Sequence, residues 1–122
     1  MNVQKVVEEL KRKYPGKNIV VDNEDGYQEI ICEIEPTNDH PKRSIALVVV
    51  GEIRPHMHKT TTEIYEVFKG KLRMFIDGKT HVLGMGQRIE IKPGHVHYGD
   101  GEEVWFKTYS TPGWTPEDHI LV

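Results

Sequence analysis

The chain is almost without cysteine. Cys32 stands alone among 122 residues, so no disulfide can form within the chain, and a reducing compartment is the expectation. It also lacks a surplus of basic charge. Its 16 Lys and Arg against 19 Asp and Glu leave a formal −3 with histidines neutral, which speaks against nucleic acid as a partner. No apolar run approaches the roughly 18 residues that a membrane span needs, so no membrane partner is expected. The N-terminus is charged and amphipathic, unlike a signal peptide with its apolar centre. Low-complexity segments, linkers and internal repeats are missing as well. These absences point to a cytoplasmic protein of one domain, residues 1–122, long enough to bury a core without staples.

What is present divides into one helix and many strands. Val3, Val6, Val7 and Leu10 recur at helical spacing with Glu and Lys between them, which predicts a short helix over residues 1–14, packed as a lid and ended by Pro15-Gly16. Residues 18–122 then read as strands and a tail. "QEIICEIEP" alternates, with Ile30, Cys32 and Ile34 on one face and Glu29, Ile31, Glu33 and Glu35 on the other. "SIALVVVG" is a continuous apolar run suited to a buried strand. "EIYEVFKG", "KLRMFIDG", "KTHVLGMG", "QRIEIKPG" and "EVWFKTYS" follow, nearly every junction marked by glycine or proline. That pattern predicts an all-β sandwich or barrel. In "VWFKTYS" either face can be the inner one, and Trp105 is a candidate dimer contact. "TPGWTPEDHILV" is expected to fold back over the barrel, anchored by Trp114.

The chemistry gathers in "HMHKTTTE", residues 56 to 63. On a strand, His56 and His58 share a face and can approach one ion. Glu63 stands five residues beyond His58 and can join them only if the chain reverses. "KTTT" offers that bend, with Glu63 opening the next strand beside the first. Along that strand Glu63, Tyr65 and Val67 share a face. A fourth ligand can come from "KPGHVHYG", through His95 or His97. His40, His81 and His119 read as solvated histidines.

Residues 45 to 110 resemble the cupins. Their first motif, roughly G-x5-H-x-H-x3,4-E-x6-G, is matched by His56, His58, Glu63 and Gly70, with Gly51 one residue closer than the pattern has it. Their second, roughly G-x5-P-x-G-x2-H-x3-N, is matched by Gly86, Gly94 and His97. Lys92 stands at the proline position and Gly101 at the asparagine. The resemblance implies a cupin-type jelly-roll β-barrel and a metal site of His56, His58, Glu63 and His97, leaving His95 outside the set. It also implies a homodimer.

Three imidazoles and a carboxylate suit one divalent transition metal ion, Mn, Fe, Ni or Zn. Four protein ligands on an octahedral ion leave two positions open, unlike a closed structural zinc site. The expected function is a metal-dependent enzyme acting on a small polar metabolite such as a sugar or sugar acid, of isomerase or lyase type, with the ion as Lewis acid. "TEIYEVFKG" is similar to the matching stretch of archaeal-type cupin phosphoglucose isomerases, whereas "IKPGHVHYG" departs from theirs. Two alternatives stand beside it: an Fe- or Mn-dependent dioxygenase, and a non-catalytic cupin that binds a small ligand. Tyr65 and Tyr98 are the candidate substrate contacts. Arg54, Lys59 and Thr60 to Thr62 are either a polar rim or contacts to an anionic group.

Overall fold

The computed structural model describes residues 1–122. The helix α1 (Val3–Lys13) comes first. Asn2 caps it, its side-chain oxygen accepting the Lys5 amide, and Lys11, Arg12 and Lys13 sit at the negative end of its dipole. Nine strands follow: β1 (Ile19–Asp22), β2 (Gln28–Glu35), β3 (Ser44–Met57), β4 (Thr62–Lys69), β5 (Leu72–Ile76), β6 (Lys79–Leu83), β7 (Arg88–Ile91), β8 (His97–Thr111) and β9 (Ile120–Leu121). The turn between β5 and β6 is Asp77-Gly78. Both residues have positive φ, as a two-residue hairpin of the primed type requires.

All strand pairs are antiparallel, in the order β1-β2-β3-β8-β4-β7, with β5 bridging β8 and β6. The long β8 organises this arrangement. It pairs with β3 from His97 to Ser110, with β5 through its first residues and with β4 through its last. The strand that Glu63 opens is therefore not beside the strand of His56, as the reversal at "KTTT" suggested. β8 lies between them and hydrogen-bonds to both.

Alternation along β3 and β8 builds two cores. Val48, Val50, Val104 and Phe106 point into the barrel and pack with Tyr65, Val67, Leu72 and Met74. Leu47, Val49 and Trp105 point outward, where Val6 and Leu10 of α1 cover them together with Ile30 and Cys32 of β2. This explains the continuous apolar run of β3: both of its faces are buried. It also places Trp105. At 4% exposed beneath α1, the indole is a helix contact and has no surface to offer a second copy.

The tail does return across the barrel. β9 pairs with the end of β3, His56 facing Leu121 and Met57 facing Ile120. The Trp114 amide donates to Ser44 Oγ at 2.9 Å, and the Thr37 hydroxyl donates to the Trp114 carbonyl. No helix is long and apolar enough to cross a membrane.

Candidate metal centre

The four candidate ligands reach one point from three directions. His56 and His97 are cross-strand partners on β3 and β8, their ring centroids 4.1 Å apart. His58 lies one residue past the end of β3, and its ring stays 5.1 Å from that of His56. Glu63 is the second residue of β4, held between Ser110 of β8 and Ile91 of β7. One ligand atom from each of the four lies within 4.8 Å of all the others, and all four side chains are buried.

The hydrogen bonds fix which nitrogen faces inward. Nδ1 of His56 donates to the Arg54 carbonyl at 2.8 Å, Nδ1 of His58 to the Asp118 carbonyl at 2.8 Å, and Nδ1 of His97 to the His95 carbonyl at 2.9 Å. A carbonyl can only accept, so each Nδ1 carries a proton and each Nε2 is turned toward the cluster. Nε2 of His58 and of His97 are buried with only Glu63 Oε1 in reach, at 2.9 and 3.4 Å. Imidazole nitrogens buried against one carboxylate are donors that a metal ion takes. The donor set fits a divalent transition ion.

The charges agree. Burial and the neighbouring His97 and His119 push His56 down to about 3, so its ring is neutral. Burial would raise Glu63, but His58 and His97 outweigh it and hold the carboxylate ionised. Burial would lower His58, but contact with Glu63 raises it above its ordinary 6.5. An ion must therefore displace a proton at His58. Metal affinity is expected to weaken on acidification, with the fall beginning above pH 6.5, and a series of calorimetric titrations from pH 8 downward would show it.

Tyr65, on the same face of β4, is 3% exposed and donates to Glu63 Oε1 at 3.4 Å. Burial first, then the negative charge of Glu63, keeps its hydroxyl protonated. It lines the cavity with His56 and Glu63. Tyr98 does not. It follows the inward His97 on a strand and so points outward, 42% exposed and stacked on Phe75 at 4.9 Å. His95 is also apart from the cluster and pairs with Asp77 at the surface. Gly101, where the cupin pattern has asparagine, sits so close to the turn before β5 that an added Cβ would lie 2.7 Å from the Lys71 carbonyl.

Several residues at the site went unnoticed in the sequence. His119, read as solvated, stacks on His56 at 4.4 Å with its Nδ1 buried and unpartnered. Asp118 clamps the chain after His58, its carboxylate accepting the amides of Lys59, Thr60 and Thr61 at 2.8, 3.1 and 3.1 Å. Trp114 and three glutamates of β2 (Glu29, Glu33 and Glu35) complete the cavity wall, and no Lys or Arg lines it. Arg54 instead forms a two-pronged pair with Asp22, and the Thr61 hydroxyl donates to the Pro112 carbonyl.

No family model matches the sequence, and no curated protein matches it by sequence. Solved structures do share the fold. The nucleoside dehydratase Pac13 from Streptomyces superposes with a TM-score of 0.76 over 89% of this chain and 87% of its own, at 14% identity. An uncharacterized conserved protein with a double-stranded β-helix domain from Klebsiella pneumoniae gives 0.65 over 84% and 86%, at 21% identity. A predicted oxalate decarboxylase from Thermotoga maritima gives 0.66 over 79% and 91%, at 17% identity. The likeness at these identities is one of fold.

Proposed function

From a cupin-type β-barrel with three histidines and a glutamate converging inside it, we propose a metal-dependent enzyme that acts on a small polar metabolite by lyase or isomerase chemistry. One observation carries this reading: the buried Nε2 atoms of His58 and His97, turned on Glu63 by their carbonyl-bound Nδ1 atoms. A divalent ion, Mn, Fe, Ni or Zn, held by His56, His58, Glu63 and His97 would supply Lewis acidity to a substrate oxygen. Tyr65 supports Glu63 and offers its hydroxyl to a substrate in the cavity. The glutamate-lined wall without a single cation favours a neutral, sugar-like substrate over a sugar acid. The neighbours support the lyase side, since a nucleoside dehydratase and a predicted oxalate decarboxylase both bear names of that reaction class. A cytoplasmic homodimer belongs to the same proposal. Free, buried Cys32 suits a reducing compartment, and the edge strand β1 exposes Val20 and Val21.

The test is metal content of untagged protein followed by turnover of a panel of neutral sugars under oxygen monitoring. About one ion per chain and turnover without oxygen uptake are expected. Oxygen consumed in step with substrate would turn the reading to the dioxygenase. No ion bound after incubation with each metal would leave a ligand-binding barrel.

A further inference from the structure

The arrangement above leaves one buried ionisable group without a task. Glu29 is the second residue of β2, paired with Val50 of β3. It is 8% exposed. Its neighbours Ile30 and Cys32 face α1, so Glu29 points the other way, with Ile31, Glu33 and Glu35, into the cavity shared with His56, Glu63 and Tyr65. Glu33 has a partner in the Asn18 amide, whereas the Glu29 carboxyl has no hydrogen bond from side chain or backbone. Its oxygens are not among the enclosed unpartnered atoms of the chain, so they open onto the cavity, where a bound molecule can meet them.

The groups around Glu29 come from every element that packs there: Asp22 of β1, Glu33 and Glu35 of its own strand, His56 of β3 and His58 just beyond it, Glu63 and Tyr65 of β4, and His119 of the tail. His56 and His119 are held neutral by burial. Burial is the largest influence on the Glu29 carboxyl and pushes it up, and in the metal-free protein the charges of Glu63 and Asp22 add to this against the pull of His58. A carboxyl kept protonated in a cleft is a usable acid at neutral pH.

We propose that Glu29 is the proton donor of this site, delivering its carboxyl proton to the oxygen that leaves the substrate. The proposal rests on the metal-dependent lyase reading and names the dehydration of a neutral polyhydroxyl substrate. The Glu29 O–H bond breaks and its proton goes to the departing hydroxyl. The substrate C–O bond breaks with its electron pair on that oxygen, which leaves as water. The adjacent C–H bond gives its electron pair to the new C=C bond, and its proton restores the Glu29 carboxyl.

Glu29→Gln keeps the shape and removes the transferable proton. Infrared spectra of metal-free protein at pH 7 are expected to show a protonated-carboxyl C=O stretch that the variant lacks. The variant is expected to take up Mn(II) with wild-type affinity, because Glu29 is no ligand. Turnover of the sugar panel is expected to fall about 100-fold or more. A band that persists in the variant, Mn(II) affinity that collapses, or turnover that is unchanged would each overturn the proposal. If wild-type protein takes up no metal, the metal reading fails by itself, and the infrared band still decides the state of Glu29. Glu29→Leu guards against a folding artefact. Losing an unpartnered buried carboxyl, it is expected to melt at or above the wild-type temperature, and a large drop would make Glu29 a structural residue.

Discussion

Replacing His58 with alanine is expected to strip the metal from the protein while leaving the barrel folded. His58 is 3% exposed and contributes one of four converging ligand atoms. Its loss removes an imidazole donor and also disturbs Glu63, whose carboxylate is ionised because His58 and His97 stand beside it. With His58 gone, only His97 is left to oppose burial, and the Glu63 pKa rises. Loss of an outer hydrogen-bonding partner of a ligand costs roughly 10- to 100-fold in metal affinity, and loss of the ligand itself should exceed that. Elemental analysis after dialysis should find almost no ion in His58→Ala, with the far-ultraviolet circular dichroism of wild type. The barrel core of Val48, Val50, Val67, Leu72, Met74 and Phe106 does not depend on His58. A variant that keeps its full complement of metal would remove His58 from the ligand set.

The second large effect is expected at Asp118, which touches no ligand-binding atom. Its carboxylate accepts three successive amides, and its own carbonyl receives Nδ1 of His58. It sits in a 3₁₀ turn, Pro116–Asp118, capped by Thr115. In Asp118→Ala the three amides lose a charged acceptor and the turn loosens its hold on His58. Bonds to a charged group contribute about 1.5–3 kcal/mol each when sheltered, and solvent lowers that, so a total near 2–3 kcal/mol is reasonable. For a chain of this size the melting temperature should fall by roughly 10 °C. Metal affinity should weaken about 10-fold through the freed His58. Burial opposes ionisation of Asp118, but the amides of Lys59, Thr60 and Thr61 outweigh it and hold its pKa below the ordinary 3.8. The stability it contributes is thus present above pH 3.8 and lost as pH falls through its lower folded value. Melting curves of wild type and variant should converge in strong acid. Equal melting temperatures at neutral pH would show that the clamp holds nothing.

Part of the ligand set was legible because its spacing is local, whereas His97 was set apart from His95 only by the resemblance to cupins. His56 and His58 need only a strand, and Glu63, Tyr65 and Val67 need only alternation, which the buried face of β4 follows. Tyr98 could have been set aside by the same rule, since a residue next to an inward histidine on a strand must face out. The position of β4 across β8 was not legible, because pairing between distant segments leaves no mark in either one. Glu29 illustrates a different difficulty. Its strand has an apolar face and an acidic face, and by polarity the apolar one suits a barrel interior. Yet α1 covers that face from outside, and the acidic face turns inward. Asp118 and His119 act through a tail that closes on the site from 60 residues away, and nothing in "TPEDHILV" states where it will dock.

The three histidine tethers bear on how the ion is acquired. Two of the three anchoring carbonyls, Arg54 and His95, lie only two residues from the rings they hold. The imidazoles are therefore aimed before any ion arrives, and the barrel has its own core. A cup formed in advance can trade its contents without unfolding. Borderline nitrogen donors rank ions along the Irving–Williams series, with nickel and zinc above iron and manganese. The occupant will thus reflect the growth medium and the buffers that the protein has met. Identity of the bound ion and competence of the bound ion become separate quantities. The working ion is the one that restores turnover when stripped protein is reloaded, ion by ion, under anaerobic conditions.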